Sequence, residues 1–507
     1  MNNLSTLILQ FAVIGGLLSF LTHRIQQPKH LLWTFLQHFC GVWFVFSGLV
    51  KAVDPIGTAY KMEDYFAAFA QTFEGLQNGF KWFAGIFPAM SEYSVGFSIF
   101  MIVLEIVLGL MLMIGYKPKL TAWLFAAIVV FFTLLTGFTY LTGFVPTEAN
   151  FFDFAKWGAY SKTQMRVTDC GCFGDFIKLD PKISFFKDLG LLIPTVLFLL
   201  KTSNMHTLWS EKSRLYATLA TTLFSLGLCI QNTYLNLPVI DFRPFKIGTD
   251  VKTKRAKEEE ARSNIEILGW KLENTQTGEK ATFMEPIPGK ITYYKQYPKD
   301  KGWKVKDQIK EEPYILVDSV KTPYPSTKLS EFAIEDPENG EVTEDLLNEE
   351  GYSIMVVAYK LYGETVQVSY NIQDTTWVTD TVRVNRDSVS LQPRFTKVTT
   401  RQVSKELFRP SDNYKNTFMQ AINPLLQAAA EANWKVYTIV TYQDAEKIGD
   451  FKKAIDAAYP FYKGDDKLLK TIIRGNPGIV IWKNGAVVDM YHHRHIPTFQ
   501  ALQKKFK

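Results

Sequence analysis

SVGFSIFMIVLEIVLGLMLMIGYKPKLTAWLFAAIVVFFTLLTGFTYLTGF, residues 94–144, holds two long apolar runs, Ser94 to Tyr116 and Leu120 to Phe144, parted only by Lys117, Pro118 and Lys119. A helix needs about 17–25 mostly apolar residues to cross the hydrocarbon core, so the stretch predicts two membrane spans joined by a short basic turn. Working outward, runs of the same kind cover Leu4 to Leu21 and Leu31 to Val53 on one side, and Ile183 to Leu200 and Leu215 to Leu235 on the other. The fifth contains Pro194, which neighbouring helices have to accommodate. Residues 1–236 are thus expected to form a multi-pass α-helical membrane bundle of about six spans.

The remainder reads differently. Only 29 of the 106 Asp, Glu, Lys and Arg residues precede position 237, so a membrane half is joined to a water-soluble half, which rules out a purely soluble enzyme. The net charge of +6 is small for 507 residues and its two signs are interleaved, so nucleic acid is not expected as a partner. All four cysteines, Cys40, Cys170, Cys172 and Cys229, lie in the membrane half, which excludes a disulfide scaffold for the other.

Short loops set the orientation. The first run lacks the basic start of a cleaved signal peptide and is read as a retained helix. Arg24 and Lys29, Lys117 and Lys119, and Lys201, Lys212 and Arg214 fall in alternate loops, which the positive-inside rule places in the cytoplasm. The expected location is the cytoplasmic (inner) membrane of a bacterial cell envelope. The N-terminus, the segments 54–93 and 145–182, and everything after residue 236 then face the periplasm.

Two features of this half carry chemistry. Glu105 lies mid-span, where a carboxylate is costly unless protonated, paired or wetted. It reads either as a proton- or quinone-side group or as a neutral interhelical contact. Lys51 and Asp54, at the outer end of the second run, read as interfacial groups whose side chains snorkel. The second feature is TDCGCFGD, residues 168–175, in an outward loop. Two thiols separated by Gly171 can close a small, strained and hence oxidising ring, and the glycine supplies the backbone freedom. Redox exchange through Cys170 and Cys172, a static staple and half of a zinc site are the three readings; without nearby histidines, no metal is expected. Cys40 and Cys229, inside predicted helices, read as packing residues.

FSGLVKAVDPIGTAYKMEDYF at 46–66, LEIVLGLMLMIGY at 104–116 and DCGCFGD at 169–175, in that order, resemble the DoxX-like superfamily, specifically its MauE branch, over about residues 31–235. The resemblance implies a four-helix membrane unit to which the first and perhaps sixth spans are additions. It also implies thiol–disulfide work on the outer face, with Cys170 and Cys172 matching the family's paired cysteines and Glu105 its intramembrane acid. The family is associated with methylamine utilisation, but the large C-terminal half goes beyond a minimal member.

Residues 237–350 are read as a linker and a small β-rich region, with a mixed charge run at 252–263 forming a solvated helix or linker and a hairpin about Thr277-Gly278. Residues 351–507 predict strands at 353–358, 435–441, 478–482 and 486–491 and helices at 416–432, 444–458 and 498–505. Between them, TVQVSYNI and WVTDTVRVNRDSVSL alternate with period two as an added hairpin, and Asn484-Gly485 is a strong turn signal. With RGNPGIVIWKNGAVV at 474–488, this order resembles the C-terminal part of the thioredoxin fold, in which a cis-proline precedes the hairpin. The resemblance implies a soluble α/β domain that binds extended chains near Asn476 and Pro477. It departs from the family in having no CxxC, so this half cannot exchange disulfides. The histidines at 492, 493 and 495 read as surface residues on opposite faces.

The expectation is an integral membrane thiol–disulfide protein, a thiol–disulfide oxidoreductase, whose Cys-Gly-Cys pair exchanges with an exported protein substrate or redox carrier. Electrons would pass to a quinone near Glu105 or to a separate thioredoxin-like carrier. Membrane lipid is the other partner, and no haem, flavin or nucleotide motif predicts a bound cofactor. The rival is a non-enzymatic membrane scaffold, an interaction subunit of a cell-envelope complex; transport ranks third.

Overall fold

The computed structural model describes residues 2–506 apart from 77–78, 325–326, 328, 386–387 and 443. The chain forms two compact units, residues 1–246 with 254–330, and residues 247–253 with 331–507.

In the first unit, α1 (Asn2–Gln26) and α2 (Leu31–Val53) are followed by α3 (Pro55–Glu74), the short α4 (Ile86–Glu92), α5 (Ser94–Ile114), α6 (Pro118–Thr142), α7 (Pro181–Leu200) and α8 (Glu211–Ile230). Among the described residues, α1, α2, α5, α6, α7 and α8, the last extended through a π turn to Leu235, are long and apolar enough to cross a bilayer. The protein is a multi-pass membrane protein. Pro194 sits inside α7 without ending it. The bundle core joins Trp43 and Phe44 of α2 to Leu108 and Leu112 of α5, Phe125 of α6 and Phe198 of α7, with Cys40 fully buried among them. Cys229 is likewise fully buried, against Ala52, Ile102 and Ile106.

Asp54 is the N-cap of α3, accepting from the Gly57 amide at 2.9 Å while Pro55 opens the helix. The charge run forms α9 (Val251–Ser263). Beyond it come the antiparallel sheet β2–β1–β3, built from β1 (Ile267–Asn274), β2 (Lys280–Met284) and β3 (Trp303–Lys310), and the hairpin of β4 (Tyr314–Val317) with β5 (Val320–Pro323).

The second unit is centred on a seven-stranded mixed sheet. Its strands are β6 (Ile334–Asp336), β7 (Gly340–Glu341), β8 (Tyr352–Ala358), β11 (Lys435–Thr441), β12 (Phe461–Gly464), β13 (Gly478–Lys483) and β14 (Ala486–His492), in the order β14–β13–β8–β11–β12–β6–β7. β8, β11 and β12 run parallel and β13 antiparallel to β8. Between β8 and β11 the chain makes one two-stranded ribbon, β9 (Gly363–Asn385) with β10 (Ser388–Pro410). The helices are α10 (Thr343–Leu347), α11 (Asp412–Thr417), α12 (Asn423–Glu431), α13 (Ala445–Ala454), α14 (Asp466–Ile472) and α15 (Phe499–Phe506). Asn484 and Gly485 both take positive φ, as a two-residue hairpin turn demands.

Three local readings are corrected. The helix predicted over 416–432 is interrupted by a π turn at Phe418–Ile422. The helix predicted to 458 ends at Ala454, after which Asp456 takes a positive φ. His492 is not on the surface: it is 5% exposed, and its ring lies 4.0 Å from that of His493.

Candidate functional site

The loop between α6 and α7 carries the two thiols. Gly171 has φ +60°, a conformation open mainly to glycine, and this turns Cys170 and Cys172 toward one another. A β-carbon at Gly171 would also meet the Lys61 side chain at 3.2 Å. The turn is tied at both ends. Asp169 accepts from the Gly171 amide at 3.2 Å and pairs with Lys61 of α3 at 2.9 Å, while the Ser47 hydroxyl of α2 donates to the Cys172 carbonyl at 2.9 Å. Both cysteines are free and half-buried.

The thiols line a cavity of about 390 Å³ set among the helices. Its walls are apolar and strongly aromatic, with Phe66 and Phe69 of α3, Phe97 and Met101 of α5, and Phe131 and Phe132 of α6 among them. Five charged side chains reach it, Lys51, Lys61, Glu105, Lys187 and Asp188. Lys51 of α2 pairs with Glu105 of α5 at 2.7 Å, with side chains only 7% and 4% exposed. Lys187 and Asp188, adjacent on α7, pair at 2.5 Å and are equally buried, and Thr136 of α6 donates to Asp188 at 3.0 Å.

Lys51 therefore does not snorkel. Its ammonium turns inward to Glu105 and lies 4.8 Å from the Phe132 ring, where two opposite charges share one desolvated place. Glu105 is accordingly a paired group, not a lone acid.

The electrostatics separate the two cysteines. The hydrogen bond from Cys170 is the largest influence on Cys172; burial opposes it, and the Lys187 and Lys51 cations reinforce it, leaving Cys172 at about 7. Cys170, as the donor of that bond and as a buried group, is pushed far up. One sulfur is thus disposed to be thiolate at neutral pH while its neighbour keeps its proton.

The sequence brought Cys170, Gly171, Cys172 and Glu105 forward, and the fold places all four around this cavity. Lys187 and Asp188 were missed. Their signal was a charged Lys-Asp dipeptide inside the fifth apolar run, easily taken for the ragged end of a span.

Asn476 and Pro477 belong to the second unit. Their peptide bond is cis and immediately precedes β13. The Asn476 amide donates to the Lys360 carbonyl at 2.7 Å and accepts from the Lys360 amide at 3.4 Å, so it braces the end of β8. Both residues line an open recess with Tyr362, Tyr414 and His493. Among the described residues, no group of three or more His, Cys, Asp or Glu side chains could hold a metal ion.

No family model, no curated protein and no solved structure matches this chain. The class that fold and site define is a multi-pass membrane protein with a thiol pair lining an apolar cavity that buried ion pairs also reach.

Proposed function

We propose that the protein is an integral membrane thiol–disulfide oxidoreductase, in which Cys170 and Cys172 exchange disulfides with an exported protein. The observation that carries this is the asymmetry of the pair. A low-pKa thiol beside two buried ammonium groups is a good leaving group, and its neighbour is then the sulfur that is attacked. In the oxidising turn, a partner thiolate attacks Cys170 Sγ, the Cys170–Cys172 bond breaks, and Cys172 departs as thiolate. A second partner thiolate then attacks the partner sulfur of the mixed disulfide, the bond to Cys170 breaks, and Cys170 departs as thiolate and takes up a proton. The partner leaves oxidised and the Cys-Gly-Cys pair reduced.

This reading takes the membrane unit as DoxX-like and of the MauE type. It takes the second unit as a thioredoxin-like domain without redox cysteines, in which the recess at Asn476 and Pro477 holds the partner's extended chain by backbone pairing. The cis bond before β13 and the parallel β8, β11 and β12 support that reading of the sheet. The thiol loop and the second unit then face the periplasm.

The test is trapping in cells, with acid quenching and a membrane-impermeant maleimide. Cys172→Ser is expected to accumulate a mixed disulfide on Cys170, Cys170→Ser to accumulate far less, and the wild type to show both oxidised and reduced forms. A permanently oxidised pair that traps nothing would make the loop a staple and give first place to the scaffold reading. Orientation is checked separately: alkaline phosphatase fused after Lys507 of the full chain is expected to be active, and a fusion active only as a cytoplasmic reporter would overturn the placement.

A further inference from the structure

Exchange with a partner leaves two electrons on the pair, and the cavity beside it is shaped for what could take them. Its volume of about 390 Å³ lies in the ~300–1,000 Å³ range of small-molecule sites. Its walls are flat aromatic rings with little polar surface. Three of those rings, Phe97, Phe100 and Phe131, are 38%, 61% and 43% exposed on membrane-spanning helices, so the cavity is open toward the bilayer side. Its lining also holds the thiols and three ammonium groups, each already paired with a carboxylate: Lys51 with Glu105, Lys61 with Asp169 and Lys187 with Asp188. A lipid acyl chain would use the walls but leave these groups without a function. A free anion would use the charges but not the walls.

We infer that the cavity binds a lipid-soluble quinone, ring toward Cys172 and isoprenoid tail toward the bilayer, and that this quinone re-oxidises the Cys170–Cys172 pair. The inference rests on the thiol-exchange reading and names its electron acceptor.

The chemistry balances. The Cys172 thiolate adds to the quinone ring, whose carbonyl oxygens gain negative charge beside Lys187 and Lys51. Cys170 Sγ, giving up its proton, then attacks Cys172 Sγ; the sulfur–ring bond breaks and the hydroquinone leaves. One thiolate, one thiol, one quinone and one proton become one disulfide and one hydroquinone. The two ammonium groups stabilise the oxyanion at the place where it develops. Lys187 also holds Cys172 ionised for the first step, as a positioning residue.

The test uses the full chain, reduced and reconstituted in lipid nanodiscs, with ubiquinone-1 as probe because every ring position is substituted and a permanent thioether is disfavoured. Hydroquinone formation and disulfide formation are followed together, and the rate of oxidation by glutathione disulfide is measured alongside. The expected result is saturable oxidation at one hydroquinone per disulfide. Met101→Trp and Leu135→Trp, which place an indole in the cavity, are each expected to lower the ratio of the quinone rate to the glutathione-disulfide rate at least tenfold; two variants guard against one failing to fold. Oxidation by glutathione disulfide but not by ubiquinone-1, or a quinone rate that neither saturates nor responds to the fillers, would overturn the quinone site and leave the exchange reading standing. A pair inert to both oxidants would overturn both.

Discussion

Lys51→Met is expected to destabilise the membrane unit by about 3–5 kcal/mol, the cost of leaving one member of a buried ion pair alone. The pair sits between α2 and α5 with side chains 7% and 4% exposed, so neither water nor salt can replace the lost partner. Glu105→Gln removes the other member and is expected to cost a similar amount, because the Lys51 ammonium is then stranded beside the Phe132 ring. The double variant Lys51→Met/Glu105→Gln is expected to recover most of the loss, since removing two opposed charges removes their desolvation cost along with their attraction. The measurement is the half-life against irreversible unfolding in nanodiscs for wild type, both single variants and the double variant. Additive losses, with the double variant no better than the worse single one, would show that the two side chains do not act as a pair.

The second large effect concerns Lys187. With that cation replaced by methionine, Cys172 loses one of the influences that hold it down and keeps beside it the Asp188 carboxylate, now unpaired, so its titration moves up. The sign follows from charge: a nearby cation favours thiolate, so its removal makes the proton harder to lose. At pH 7 the thiolate fraction falls. Intrinsic nucleophilicity rises with pKa, with a slope of ~0.4–0.5, and returns part of that. The net effect is slower alkylation at pH 7, with the midpoint of the rate–pH profile moved up by on the order of 1 pH unit, the usual size for loss of a close opposite charge. The midpoint is therefore the better readout. It is checked with a small maleimide on the reduced protein, the reacting site being identified by peptide mapping. An unmoved midpoint would remove Lys187 from the account of the thiol.

How far the site was legible depends on where each residue lies in the chain. Cys170, Gly171 and Cys172 are neighbours, and a thiol pair about a glycine announces its chemistry locally. Glu105 was visible because one acid within an apolar run is conspicuous. Lys51 was visible too, but its role was not: three residues before Asp54 at the end of an apolar run, it looks like a group that reaches for water. Its partner lies 54 residues away on another helix, and only packing of α2 against α5 turns the ammonium inward. Lys187 and Asp188 fall at the start of a span, where charges are ordinary, and only the approach of α6 and the thiol loop encloses them.

In the second unit, β12 was missed because four residues carry too little alternation to read, and β6 and β7 are shorter still. β8, β11, β13 and β14 were legible because each is a run of apolar or β-branched residues bounded by turn signals. The order in which they pair depends on contacts distant in sequence.

By itself the sequence determined that this chain has a membrane half and a polar half, six apolar helices, a thiol pair in a loop and a sheet with a long inserted ribbon. Those properties follow from composition and from periods of one helix turn or one strand repeat, which the chain carries locally. The tertiary structure decided that the thiols open on an aromatic cavity, that Lys51 and Glu105 neutralise one another, and that Lys187 stands where it can hold a thiolate. Each of these depends on side chains brought together from different helices, because the energy of a buried charge is set by its partner and its solvent exposure, and neither is a property of the residue alone.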